Sequence, residues 1–188
     1  MTAYLLAGPA EEPVSLAEAK AFLRIDDGVE DGLVATLIAA ARMHVEGVTG
    51  RALLAQSWRL VLDHWPEDRQ VKLPVTPFMA VTEITAYDSA GGAHTVPLAQ
   101  FLSEPDRLLL PGNVASMPAL RERQGIEIDY VAGYGVEPKD VPADLRQALL
   151  ALVGYWFEHR DALITAGSGA VVPSGFDRMV SAYRRVRL

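Results

Sequence analysis

The stretch LVATLIAAARMHVEGVTG (residues 33–50) and the RALLAQSWRLVLD that follows it (residues 51–63) place two different periodicities side by side. In the first, Val34, Leu37, Ile38, Ala41, Val45 and Val48 recur every three or four residues. That spacing aligns side chains on one face of an α-helix. The pattern predicts a helix from about Glu30 to Val48, stopped by Gly50, a residue that takes up left-handed backbone at little cost. In the second, Trp58, Leu60 and Leu62 alternate with Arg59 and Val61, the two-residue period of a half-buried strand. The switch from one period to the other means that helices and strands share the chain, and it sets the fold class as α+β.

Upstream, Ser15-Leu-Ala-Glu18 has the form of a capping box, in which serine and glutamate satisfy free amides at a helix start. A first helix is expected from Leu16 to about Ile25, burying Leu16, Ala19, Phe22 and Leu23. Residues 1–13 read as an irregular arm. Downstream, Val71–Leu73, Ala80–Tyr87, His94–Val96, Arg107–Leu110 and Ile126–Val131 are strand candidates, punctuated by Pro74, Pro77, Gly91-Gly92 and Pro111-Gly112. Residues 57–132 are therefore expected to form a small antiparallel β unit inserted between helices. A third helix should begin near Pro142 and bury Leu145, Ala148, Leu149, Leu152, Val153 and Trp156. Tyr155, Trp156 and Phe157 are consecutive, so they do not all fit one core, and exposed aromatics are expected there. Residues 162–172 read as a loop without charge. Ser174 is expected to cap a short fourth helix reaching about Arg185. The architecture expected is a helical bundle of three main helices and a short C-terminal one, in a single domain, 1–188.

Composition narrows the function. Half of the 188 residues are hydrophobic, enough for a substantial core. Lys and Arg number 17 against 24 Asp and Glu, a net charge of -7, which disfavours a protein that grips phosphate backbones. There is no cysteine, which removes disulfides, zinc–thiolate sites and cysteine nucleophiles. No run approaches the ~18 apolar residues of a membrane span, and no secretory signal opens the sequence. A soluble protein made in the cytoplasm is expected.

Motifs for chemistry are weak. His44, His64, His94 and His159 stand far apart, and no H-E-x-x-H occurs. Gly167-Ser168-Gly169 lacks the G-x-S-x-G spacing of a serine nucleophile and the lysine of a phosphate loop. Asp26, Asp27, Glu30 and Asp31 lack the alternating ligands of a calcium loop and suit a helix start instead. Glu83, Glu127 and Asp129 fall on expected wet faces. No catalytic, cofactor or metal residue is assigned. The C-terminus differs: Arg178, Arg184, Arg185 and Arg187 cluster beside Tyr183 in an acidic chain. A solvated helix end that complements the helix dipole is one reading. A docking segment over 174–188 is another, since arginine and tyrosine are over-represented at interfaces, and nucleic-acid binding is a third, for which four arginines make a small footprint. Removing that segment is expected to leave the fold intact.

Four stretches taken in order carry a family resemblance: SLAEAKAFLRID (15–26), ARMHVEGVTGRA (41–52) running into the Trp58 strand, LPVTP (73–77) with Val81–Asp88 after it, and VPADLRQA (141–148) through Trp156. In this order they resemble the head–tail connector, or adaptor, family of long-tailed phages and gene transfer agents. The resemblance implies a structural subunit without catalysis or cofactor. It implies a ring of copies, commonly twelve, beneath a portal protein. Such a ring continues the channel for duplex DNA without binding it specifically, and offers a platform to a tail-side stopper or terminator protein. It implies no membrane partner. It implies a location in the bacterial host cytoplasm during assembly and at the head–tail interface afterwards. It also implies portal contact by the C-terminal segment, here Phe176, Arg178, Tyr183, Arg184, Arg185 and Arg187. Two other readings stay open from the residues: a DNA-binding or packaging accessory protein of the same particle, and a small hydrolase with its site in the β unit.

Overall fold

The structure, a computed structural model, describes residues 1–110, 119–159 and 171–184. It is α+β, and the chain divides into two compact units. The first holds residues 1–10 and 55–134, and the second residues 11–54 and 135–188.

The first unit is built on antiparallel strands: β1 (Thr2–Ala7), β2 (Gln56–Leu62), β3 (Gln70–Lys72), β4 (Phe78–Tyr87), β5 (Ala93–Thr95), β6 (Leu102–Glu104), β7 (Arg107–Leu109) and β8 (Ile126–Ala132). Five of them form one sheet in the order β1-β2-β8-β4-β5, and β3-β7-β6 form a second. Strand β8 lies at the centre of the larger sheet, and its residues alternate between buried and half-buried along its length. Its inward residues meet those of its neighbours: Leu60 opposite Ile128, Leu62 opposite Ile126, and Ile84 opposite Ile128 on the other side. Such directly opposed apolar pairs are the unit from which a sheet draws its stability.

The opposite face is polar and internally paired. Arg59 donates from Nε and Nη2 to both carboxylate oxygens of Asp129, at 2.6 and 2.7 Å, and Nη1 reaches Glu127 at 2.9 Å. These bonds raise the guanidinium pKa further. After β4 the chain reverses around Asp88, whose Oδ1 accepts from Ala90 N and Gly92 N at 2.9 and 2.8 Å. Gly91 takes φ +86° in this turn, backbone that L side chains rarely adopt.

The expected β region is therefore right in class and larger in extent. Residues 2–7 are not an irregular arm but an edge strand, paired with β2 from Thr2 opposite Val61 to Ala7 opposite Ser57. Strand β6 was likewise not expected.

The second unit holds α1 (Leu16–Leu23), α2 (Asp31–Thr49), α3 (Ala143–Glu158) and α4 (Phe176–Val180). The capping box forms as read: Ser15 Oγ accepts from Glu18 N at 3.1 Å, and Glu18 Oε2 accepts from Ser15 N at 2.9 Å. These bonds, with Arg146 nearby, lower the Glu18 pKa. Helix α2 buries Val34, Leu37, Ile38, Ala41 and Val45 and ends on Gly50 at φ +68°. Helix α3 buries Leu145, Ala148, Leu149, Leu152, Val153 and Trp156, and starts after Pro142. These two apolar faces pack on each other, and α1 packs on both. Arg146 of α3 also donates to Pro13 O at 3.2 Å and pairs with Glu18, tying α3 to the start of α1.

One local expectation changes and another holds. Of the stripe expected to be buried on α1, Ala19 alone is buried, Leu16 and Leu23 are half-buried, and Phe22 is exposed. Of the consecutive aromatics only Trp156 is buried, and its neighbours Tyr155 and Phe157 are half-exposed.

Loss of an N-cap side chain typically costs about 1 kcal/mol. Ser15→Ala is expected to lower folding stability by about that amount, measured by urea unfolding. An unchanged midpoint would mean that the box bears no weight.

Candidate docking segment

The arginine-bearing segment after α3 is tied to the helices through residues 171–184. Helix α4 turns its apolar side inward: Phe176 is 1% exposed and Val180 0%. Phe176 meets the His44 ring of α2 at 5.4 Å between centroids, and His44 in turn meets Trp156 of α3 edge-on at 5.8 Å. Trp156 Nε1 donates to Val171 O at 2.8 Å, fixing the chain just before α4. A tilted or edge-on aromatic cluster of this kind adds specific ring–ring attraction to the burial of area.

The 3-10 turn at Ser181–Tyr183 is also held. Tyr183 Oη donates to the Asp144 carboxylate, 2.7 Å from Oδ1 and 2.9 Å from Oδ2, and Arg51 Nε donates to Tyr183 O at 2.8 Å. Arg184 pairs with Asp177. Arg178 is exposed. Arg185 and Arg187 lie outside the described residues.

Two sequence expectations are corrected here. The N-cap of α4 is Gly175, at φ +93°, rather than Ser174, and no side chain caps the helix. Phe176 and Val180 belong to the core, so removing residues 174–188 would open it rather than leave the fold intact.

The other candidates gather no chemistry. His94 is bonded to Asp88 at 2.7 Å, and His159 stacks on Tyr155 at 4.4 Å. His64 is exposed. Asp31 pairs with Lys20 at 2.6 Å, and Asp27 accepts from Val29 N at 3.2 Å, as expected of a helix entry. Glu127 and Asp129 are occupied by Arg59 while Glu83 is exposed, so the three make no acid–base pair. Among the described residues no group of three His, Asp or Glu side chains is placed to hold a metal ion, and no helix is long and apolar enough to cross a membrane. Gly167, Ser168 and Gly169 lie outside the described residues.

The second unit is a helical body with a short terminal helix packed on it, and the first is a unit of antiparallel strands. Residues 13–186 match the model of the head completion protein family, and the chain belongs to that family. It is a structural family of phage and gene transfer agent particles, with a head–tail connector role, and its members are not enzymes. The chain is similar over 100% of its length, and 97% of theirs, to chains in three solved structures. One is the neck of an empty GTA particle computed with C6 symmetry, at 26% identity and a TM-score of 0.80. Another is the virion of the native gene transfer agent (GTA) particle, at 28% and 0.80. The third is the neck of the native particle computed with C12 symmetry, at 26% and 0.73. None of the curated proteins matches the chain.

Two outcomes follow from this packing. Phe176→Ala is expected to cost about 3–5 kcal/mol, read by chemical unfolding, because it removes a fully buried ring from a packed site. Acid should also loosen the helical unit. Burial holds the His44 pKa below its ordinary 6.5, with Asp177 opposing the shift. The unfolded chain therefore takes up the proton first. The stability contributed by neutral His44 is full above pH 6.5 and falls as the pH drops from there through the folded value. His44→Phe should flatten that slope in melting temperature between neutral pH and pH 5, whereas an unaltered slope would assign it to other groups.

Proposed function

We propose that this protein is a subunit of a ring at the neck of a phage-like or gene transfer particle, between the portal protein and the tail. The observation that carries the proposal is full-length likeness, at 26–28% identity, to chains from GTA necks and virions, two of them computed with cyclic symmetry. Copies around one rotation axis meet through two different surfaces that close when the rotation fits. Twelve copies are the number proposed. The ring continues the DNA channel, and the net charge of -7 lets duplex DNA pass without being held. Assembly in the host cytoplasm precedes incorporation at the neck.

In this reading residues 174–188 dock on the portal, and a stopper or terminator protein joins on the tail side. Phe176, Tyr183 and Arg184 set the position of the segment through their contacts with the body. Arg178, Arg185 and Arg187 supply the charge that meets portal carboxylates, where a guanidinium pairs in bidentate fashion.

The test leaves the core untouched. Arg185→Ala/Arg187→Ala, with Arg178→Ala added in a second variant, is expected to weaken co-sedimentation with purified portal protein by about tenfold or more, as loss of interface arginines does. Melting should be unchanged. Full retention by the triple variant would refute the assignment of this segment. Light scattering on the wild-type complex tests the ring itself: a complex carrying one or two copies per portal would refute it.

A further inference from the structure

Residues 171–184 have little order of their own. Helix α4 has five residues, far short of the ~12–15 at which an isolated helix holds in water, and no side chain caps it. Two seats on the helices fix its place. One is aromatic: Phe176 rests on the His44 ring, and Trp156, which meets the same ring edge-on, donates to Val171 O. The other is polar: Asp144 and Arg51 bind Tyr183. Helices α1, α2 and α3 pack directly on one another. The segment is thereby placed to open as a piece while those helices stay folded.

His44 is the titratable group of the aromatic seat. It is half-buried, and among the described residues its ring nitrogens have no hydrogen-bond partner. As a neutral ring it packs as a third aromatic. As a cation it needs water or a carboxylate, and the closed segment supplies little of either. Helix α3 meets it with the uncharged Trp156. On its own helix, Arg42 and Glu46 are paired with each other. On α4, Arg178 is exposed, and Asp177 is the charged group that acts on the ring, but its carboxylate is already paired with Arg184. Burial outweighs Asp177, and the His44 pKa stays below its ordinary 6.5.

We infer that His44 is an acid-sensitive catch: on taking up a proton it releases residues 171–184 from α2 and α3 as one piece, ahead of any loss of the helical core. Opening returns water to the ring, so the proton binds the open form more tightly than the closed one. Closure is therefore fullest above pH 6.5 and weakens as the pH falls from there through the lowered value. A single proton limits the change in opening to about tenfold per unit of pH. Acid acts locally before it acts on the whole unit. The catch works whatever the segment binds, so it is separate from the ring reading.

Hydrogen exchange of the full chain tests this, followed by mass spectrometry between neutral pH and about pH 5 and corrected for the intrinsic exchange rate. Peptides covering 176–184 are expected to lose protection severalfold, by no more than about tenfold per unit of pH. Peptides from the buried stretches of α2 and α3, residues 34–41 and 145–152, should keep theirs. His44→Phe retains an aromatic ring without a titrating group and is expected to abolish the loss. Asp144→Asn, which weakens the polar seat, should raise exchange of the segment equally across the range and leave its pH dependence in place. A merely structural role for His44 would give that second behaviour. Constant protection of 176–184 in the wild-type chain would overturn the inference. So would loss in step with the α2 and α3 peptides, or a loss that persists in His44→Phe. If His44→Phe does not fold, the wild-type ring is titrated by NMR. A midpoint below 6.5 that coincides with the levelling of exchange supports the catch, and one at or above 6.5 overturns it.

Discussion

Burial of one face of every long element is the constraint on which the rest of the structure depends. Helices α2 and α3 each carry an apolar stripe too wide to leave in water, and each covers the other's. In the first unit the same constraint has a period of two: β8 turns Ile126, Ile128 and Tyr130 to the core while Glu127 and Asp129 look outward. The outward face is not left to solvent alone, since Arg59 binds both carboxylates. Glu127 and Asp129 on that face are both paired with Arg59 rather than with each other.

The same economy explains why the C-terminal segment stands out. Its apolar residues and its tyrosine are committed to the body through His44, Trp156, Asp144 and Arg51. These contacts order residues 171–184 against the helices without any partner.

How much of this was legible varies with the type of signal. Helix α2 was readable to within a residue at each end, because six apolar positions repeat in phase and Gly50 punctuates them. The capping box at Ser15 was readable because its chemistry is local. Strand β1 was not, since Tyr4-Leu5-Leu6 shows no alternation and Gly8 and Pro9 suggest an arm; its pairing depends on β2, fifty residues away. The N-cap at Gly175 was missed because Ser174 has the side chain that usually caps a helix, whereas the helix starts on a glycine at φ +93° with no side-chain cap.

By itself, then, the sequence determined the class of the fold, the positions of its long elements, the lack of catalytic motifs and the basic character of the C-terminus. Each of these rests on neighbours within a few turns of the chain. Only the tertiary structure decided that the first residues complete a sheet, that Phe22 lies outside while Phe176 lies inside, and that Tyr183 is tied to Asp144 and Arg51. Those outcomes come from contacts between residues far apart in the chain, where the area buried and the partner available, rather than local pattern, set the energy.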